Sequence, residues 1–186
     1  IPEGWGFEQA AACTEGIHYA LNYVRCFKVY SGMPVLVNGA TGAIGSAAIQ
    51  LLKYYGAKVT AVGLEAYRNE IMSMGATYFL DYTKDDFTEL ERQFDVVFDA
   101  VGKSTFGKCK QLLKPKGRYV STELGPGVQN PLLALITPLS GGKKVLFPVP
   151  TINQQDVEFI AGLVAEGHFK PLIDRTYDLE DIAEAY

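Results

Sequence analysis

Apolar and polar residues alternate along this chain in blocks, and the period of the alternation changes from block to block. Val35-Leu36-Val37 is a short continuous apolar run, the pattern of a strand buried on both faces. Ile44, Ala47, Ala48, Leu51, Leu52 and Tyr55 then recur at helical spacing, and Gly56 follows where a C-terminal cap belongs. Residues 58–62 read as a second strand, 68–74 as a helix ending at Gly75, and 77–80 as a third strand. Residues 95–100 (DVVFDA) form a fourth. Ser104 is placed to cap a helix reaching Leu113, which Lys114-Pro115-Lys116-Gly117 closes with turn residues. Residues 118–121 and 143–147 are the fifth and sixth strands. Residues 154–166 read as a helix with Val157, Ile160, Ala161 and Val164 on one face, ended by Gly167. A separate helical lead-in covers 7–30, and Asp178 precedes a last helical pattern over 179–186.

Alternation of apolar strands with amphipathic helices predicts an α/β, doubly wound parallel sheet with helices on both faces. One segment fits less well. Residues 122–142 are long for a connection in a compact domain. The stretch contains Pro131-Leu132-Leu133-Ala134-Leu135-Ile136, which reads either as a cover for a pocket or partner, or as a short buried helix.

Composition narrows the class. With 186 residues, 48% hydrophobic and 20% charged, the chain is too apolar for a disordered segment. No run reaches the ~18–20 apolar residues of a membrane-spanning helix, so no membrane partner is expected. A net charge of −4 gives no broad footprint for nucleic acid. Cys13, Cys26 and Cys109 are odd in number and widely spaced, which fits a reducing, cytoplasmic interior. Together with His18 and His168 they show no ligand spacing, so no metal site is assigned. The chain starts at Ile1 without a signal-peptide pattern and stops inside a helical pattern, so a piece of a longer polypeptide is expected.

The chemistry concentrates in Asn38-Gly39-Ala40-Thr41-Gly42-Ala43-Ile44-Gly45, where a strand runs into a glycine-rich turn that opens a helix. The first N–H groups of a helix lack intrahelical partners and carry the positive end of its dipole. A dinucleotide pyrophosphate fits there if nothing blocks its approach. Gly42 would let the backbone come close to the phosphates, and Gly45 would let the helix pack tightly on the strand. In the G-x-G-x-x-G register Ala40 replaces the first glycine, with Gly39 just before it. The second strand ends in Gly63 and Leu64, without the carboxylate that usually holds the ribose of NAD. That favours NADP, with Arg68 or the ring of Tyr67 against a 2′-phosphate. NAD stays possible, because Glu65 follows closely. Arg68 reads equally as an ordinary solvated helix charge.

The segments VLVNGATGAIGSAAIQLLKYYGAKVTAV, MGATYFLDY, FDVVFDAVG and LKPKGRYV together resemble the cofactor domain of the medium-chain dehydrogenase/reductase superfamily. Its zinc-type alcohol dehydrogenase-like and quinone oxidoreductase-like members are the nearest in pattern. The resemblance implies a six-stranded parallel Rossmann sheet. It also implies hydride transfer between a nicotinamide and a carbonyl, enone, quinone or alcohol substrate. By that likeness Thr41, Gly42, Ala43 and Ile44 line the pyrophosphate. Gly63, Leu64, Tyr67 and Arg68 surround the adenosine ribose, and Tyr82 lies beside the adenosine. Val101, with Ala100 and Gly102, then Ser121-Thr122 and Phe147-Pro148, flank the rest of the cofactor. The family commonly has Lys or Asn where this chain has Tyr67, and often Thr where it has Tyr19.

The likeness further divides the chain. Residues 1–30 would be a lead-in from an absent catalytic domain, 31–170 the dinucleotide-binding domain, and 171–186 the start of a return segment. The absent domain supplies much of the substrate pocket and, in alcohol dehydrogenase-like members, a zinc ion. A homodimer through the sixth strand is implied, although Lys143 and Lys144 are also how an edge strand discourages pairing. No catalytic residue is assigned. The competing reading is a nucleotide-binding sensor or scaffold without turnover. A short-chain dehydrogenase is disfavoured, because no Tyr-x-x-x-Lys pair stands at a suitable helix position.

Overall fold

The computed structural model describes residues 4–185. Its centre is a sheet of strands β1 (Pro34–Asn38), β2 (Lys58–Gly63), β3 (Ala76–Asp81), β4 (Phe94–Asp99), β5 (Leu113–Ser121) and β6 (Lys144–Leu146). All neighbours pair in parallel, in the order β3-β2-β1-β4-β5-β6. The helices are α1 (Phe7–Ala12), α2 (Gly16–Arg25), α3 (Ala43–Tyr54), α4 (Arg68–Met74), α5 (Phe106–Cys109), α6 (Gln129–Ile136), α7 (Gln154–Ala165) and α8 (Ile182–Ala185). This is the doubly wound Rossmann architecture that strand–helix alternation predicts.

Side chains alternate across each strand and so feed two separate cores. Val35, Val37, Val59, Ala61, Val96 and Phe98 point to one face, where α2, α3 and α4 cover them with Ile17, Leu21, Ile49, Leu52 and Ile71. Leu36, Val62, Val97 and Tyr119 point to the other, against Phe106, Cys109 and Leu112. Because both faces are covered, the strands read as unbroken apolar runs instead of alternating ones.

Two amides tie outlying segments to this frame. Gln50 on α3 donates to the Lys170 carbonyl and accepts from its N–H, both at 2.9 Å. Asn22 on α2 does the same with Thr151, both at 3.0 Å. A side-chain amide that imitates a paired backbone in this way satisfies polar groups that no strand reaches. Arg25 on α2 adds an ion pair to the buried Asp156 in the first turn of α7.

Several boundaries differ from the sequence reading, each for a visible reason. The helix expected to start at Ser104 starts at Phe106, with the Thr105 hydroxyl as its cap. The Ser104 hydroxyl instead meets the Cys109 thiol at 3.2 Å, and its N–H is donated to Asp99 at 2.8 Å. That helix is one turn long and passes through a 3-10 turn, Lys110–Leu112, into β5. The Lys114–Gly117 turn lies inside β5. Pairing with β4 skips from Leu113 to Arg118, and Lys116 takes a left-handed φ of 64°. β6 keeps three paired residues, so Phe147 lies just beyond it. On α7, Val164 is buried but Val157 is exposed, because the stripe borders an open groove with Trp5 and His18. The last helical pattern splits into a 3-10 turn, Leu179–Asp181, and α8, without a side-chain cap from Asp178; Tyr186 lies outside the described residues.

Residues 122–142 hold α6 between two short 3-10 turns. Within it only Asn130 is buried, while Leu132, Leu135 and Ile136 are exposed. The buried-helix reading of this segment is therefore replaced by a helix with an open apolar face.

Gln50→Ala is expected to lower stability by about 1–3 kcal/mol, since it leaves two backbone groups without their partner. The midpoint of urea unfolding measures this, and an unchanged midpoint would show that the clamp contributes nothing.

Candidate functional site

The strand order reverses direction between β1 and β4. In open parallel sheets the carboxyl ends of the strands at such a reversal frame a crevice that takes ligands. The turn after β1 opens onto it. Gly39 and Ala40 both donate to the Val62 carbonyl of β2, at 3.1 and 2.9 Å. Gly42 donates to the Gly39 carbonyl at 3.1 Å, and α3 begins at once, with no side-chain cap on its first N–H groups.

The three glycines of this turn are there for different reasons. Gly39 has φ of +83°, and a Cβ on it would stand 2.8 Å from Val101 Cβ. Gly45 is pressed on the turn, so a Cβ there would collide with the Gly39 carbonyl oxygen. Gly42 has neither constraint. Its φ and ψ of −78° and 166° suit any residue, and a Cβ on it would meet only the Gly39 oxygen at 3.5 Å. The protein's own packing does not require glycine at Gly42. A ligand that must approach this backbone does, so the cradle fits a pyrophosphate.

Thr41 reaches sideways to the end of β2, its methyl 3.0 Å from where a Gly63 Cβ would stand. Ala43 is exposed, with its carbonyl 2.8 Å from the place of a Gly16 Cβ, so the start of α2 braces the start of α3. Ile44 is half-buried.

Beyond Gly63, Leu64 is exposed and Arg68 is engaged. Its Nε and Nη2 donate to the two carboxylate oxygens of Glu65 at 2.6 and 2.9 Å. Its guanidinium also stacks over the Phe79 ring at 4.8 Å. The Arg68 hydrogen bond holds the Glu65 carboxyl below its ordinary range. Tyr67 points elsewhere and donates to Asp174 at 3.1 Å. Tyr82 is exposed, and its N–H donates to the Gly63 carbonyl at 3.2 Å.

Across the crevice, Val101 is exposed beside Gly39, and Phe147 is half-buried. Beneath them lies a polar knot that the sequence reading missed. Asp99, fully buried at the end of β4, accepts from Asn38 Nδ2 at 3.0 Å, Ser104 N–H at 2.8 Å and Tyr119 OH at 3.0 Å. Burial and the Asp99 charge push the Tyr119 phenol up. The signal was present: Asn38 and Asp99 are polar residues that end otherwise apolar strands. Their partnership was hidden because they lie on different strands.

Other features carry less chemistry. Burial pushes the thiols of Cys13 and Cys109 up to about 11, away from nucleophilic use. Among the described residues no three His, Cys, Asp or Glu side chains group as metal ligands, and no helix is long and apolar enough to cross a membrane. A groove of about 860 Å³ lies between the distal half of α3 and the Gly167–Ile173 segment, away from the glycine turn. It has no cluster of reactive groups.

Residues 74–186 match the family model described as zinc-binding dehydrogenase. The chain belongs to this family, within the medium-chain dehydrogenase/reductase superfamily. The chain is 32% identical to a 2-methylene-furan-3-one reductase of Solanum lycopersicum and 30% identical to an NADPH-dependent alkenal/one oxidoreductase of Arabidopsis thaliana. Each match covers 93% of this chain and 41% of the relative. The chain therefore spans less than half the length of these relatives. A quinone oxidoreductase structure from Coxiella burnetii superposes with a TM-score of 0.85 at 24% identity, over 99% of this chain and 57% of the other. That likeness supports the dehydrogenase fold. The glycine turn lies before the stretch that the family model matches, so its assignment rests on the geometry above.

Alanine substitution separates the turn's packing glycine from its open one. Gly45→Ala is expected to cost about 1–3 kcal/mol, because backbone must move to admit the methyl. Gly42→Ala should stay within about 1 kcal/mol of the wild type. Chemical unfolding of both variants checks the contrast, and equal losses would refute it.

Proposed function

We propose that this chain is the cofactor-binding part of an NAD(P)-dependent oxidoreductase. The reaction is hydride transfer between the nicotinamide and a small carbonyl, enone, quinone or alcohol substrate. The observation that carries this reading is Gly42, a glycine that the fold leaves free, at an uncapped helix start facing the crevice. When bound, the nicotinamide supplies the hydride chemistry. The chain's own part is to hold and orient the carrier. Thr41, Gly42, Ala43 and Ile44 would hold the pyrophosphate. Gly63, Leu64, Tyr67, Arg68 and Tyr82 would surround the adenosine. Val101 and Phe147 would flank the remainder.

NADP is the proposed carrier. The NADPH dependence named for the Arabidopsis relative supports it, as do the absence of a carboxylate at Gly63 and Leu64 and the nearness of Arg68. Glu65 now holds Arg68, but the pair is exposed, and exposed pairs are weak enough for a doubly charged phosphate to compete.

Residues 31–170 would be the dinucleotide-binding unit, flanked by segments 1–30 and 171–186 that lead to a catalytic domain shaping the substrate pocket. We read a cytoplasmic, homodimeric enzyme. Three unpaired cysteines support the compartment. The outermost position of β6 and the exposed apolar face of α6 support the dimer.

Fluorescence titration of the purified protein with NADPH and NADH tests the assignment. Both should bind, NADPH more tightly. Gly42→Val should fold and lose roughly tenfold or more in affinity for both. Arg68→Ala should weaken NADPH several-fold more than NADH. No binding of either nucleotide at millimolar concentration would sink the cofactor reading. Equal losses in Arg68→Ala would refute the 2′-phosphate contact. Binding without hydride transfer by the complete polypeptide, over a panel of enones and quinones, would make this a sensor module.

A further inference from the structure

The loop after β3 carries a second cation, Lys84, to the rim where Arg68 pairs with Glu65. Its position there is fixed by backbone. Asp81, the last residue of β3, stands opposite Gly63, the last residue of β2. The Tyr82 N–H donates to the Gly63 carbonyl at 3.2 Å, and the N–H groups of Lys84 and Asp85 return to the Asp81 carbonyl, both at 3.0 Å. Gly63 adjoins the Thr41 methyl of the glycine turn. In a doubly wound sheet the end of β2 is where the ribose or 2′-phosphate of a dinucleotide is read.

Four charged groups share this rim, in two unlike pairs. Asp81 is buried, and its Oδ1 accepts from the Thr83 hydroxyl at 2.8 Å and the Thr83 N–H at 3.1 Å. Those two bonds, more than Lys84, hold its carboxyl below the ordinary range. Lys84 Nζ lies 3.4 Å from Asp81 Oδ2 with its side chain 67% exposed, so it is loosely held. Glu65 has the opposite character. It is exposed, and among the described residues its carboxylate has Arg68 as its only hydrogen-bond partner. The Arg68 hydrogen bond holds it below its ordinary range, and the charges of Arg68 and Lys84 add to the effect. One adaptable carboxylate therefore feels both cations of the rim.

We propose that the Glu65 carboxylate holds the place of the NADP 2′-phosphate, and that Lys84 joins Arg68 in binding that phosphate once Glu65 has left. The inference rests on the nucleotide reading above. A carboxylate that accepts two N–H bonds from a guanidinium matches one edge of a phosphate in shape and in sign. The phosphate brings more charge and a third oxygen, which is the acceptor that the Lys84 ammonium lacks. NAD has no such group, leaves the Glu65–Arg68 pair intact and gains nothing from Lys84. Glu65 and Lys84 are thus specificity-determining residues of opposite effect.

Calorimetric titration with adenosine 2′,5′-bisphosphate and adenosine 5′-monophosphate isolates the 2′-phosphate, and NADPH and NADH repeat the comparison on the full carrier. The wild type should prefer the 2′-phosphorylated member of each pair. Lys84→Ala should weaken that member by about three- to tenfold and the other by less than about twofold. Glu65→Gln, which frees Arg68, should strengthen it by about threefold. Lys58→Ala removes an equal charge from the exposed amino end of β2 and should leave all four affinities within about twofold. Equal losses of both members in Lys84→Ala overturn the role of Lys84, as does an equal effect of Lys58→Ala. A Glu65→Gln variant that binds the 2′-phosphorylated ligands no better overturns the place-holding role of Glu65. A wild type that binds all four without preferring the 2′-phosphorylated members overturns the whole proposal and leaves the dinucleotide reading standing. Failure to bind any of the four overturns both.

Discussion

The contact of Gly45 with the Gly39 carbonyl is the constraint on which the rest of the site depends. It presses the first turn of α3 directly onto the end of β1. Any side chain at Gly45 would lift the helix and move its first N–H groups away from the crevice. With the contact made, the Gly39 oxygen can accept from Gly42, Ser46 can donate to Gly42, and the helix starts without a capping side chain. The brace from Gly16 of α2 against Ala43 holds the same helix start from the other side. The anion site proposed for this turn needs no charged residue. It needs a backbone held still, and two backbone contacts hold it.

The strand ends show how such a backbone is anchored without closing the crevice. Asn38, Asp99 and Ser121 face one another in the registers of β1, β4 and β5, forming one polar row at the carboxyl edge of an apolar sheet. All three are buried. Polar groups buried at a strand end must find partners: Asp99 accepts from Asn38, Tyr119 and the Ser104 N–H, and the Ser121 hydroxyl accepts from the Glu123 N–H. The result is geometric, because the root of the glycine turn and the opposite wall are tied to one carboxylate.

What could be read in advance follows the range of the interactions. The strands were legible because a doubly covered parallel sheet needs unbroken apolar runs, as in Val35-Leu36-Val37. The glycine turn was legible because its determinants are adjacent in sequence. The start of α5 was not. The Ser104 hydroxyl turns to Cys109 and its N–H to Asp99 of β4, which leaves the capping to Thr105. The Lys114–Gly117 turn was recognised as a turn, but its place inside β5 depends on Leu113 finding Phe94. The exposure of Val157 depends on what packs beside α7. Among the site candidates, Arg68 was visible, and its spacing from Glu65 is that of helix neighbours. The direction of Tyr67 toward Asp174, more than a hundred residues away, was beyond any local pattern.

Two carboxylates in this site illustrate why burial, more than charge count, decides what an acidic residue can do. Glu65 sits at the rim, in a two-bond pair with Arg68, and both side chains are close to half exposed. Water screens it, the pair is weak, and its partner can be given up to a better anion. Asp99 is fully buried and, among the described residues, forms no ion pair. It cannot move without breaking three hydrogen bonds. The rim can therefore rearrange, while the floor is fixed. A change at one end need not disturb the other, because among the described residues no hydrogen bond or ion pair joins Glu65 or Arg68 to Asp99.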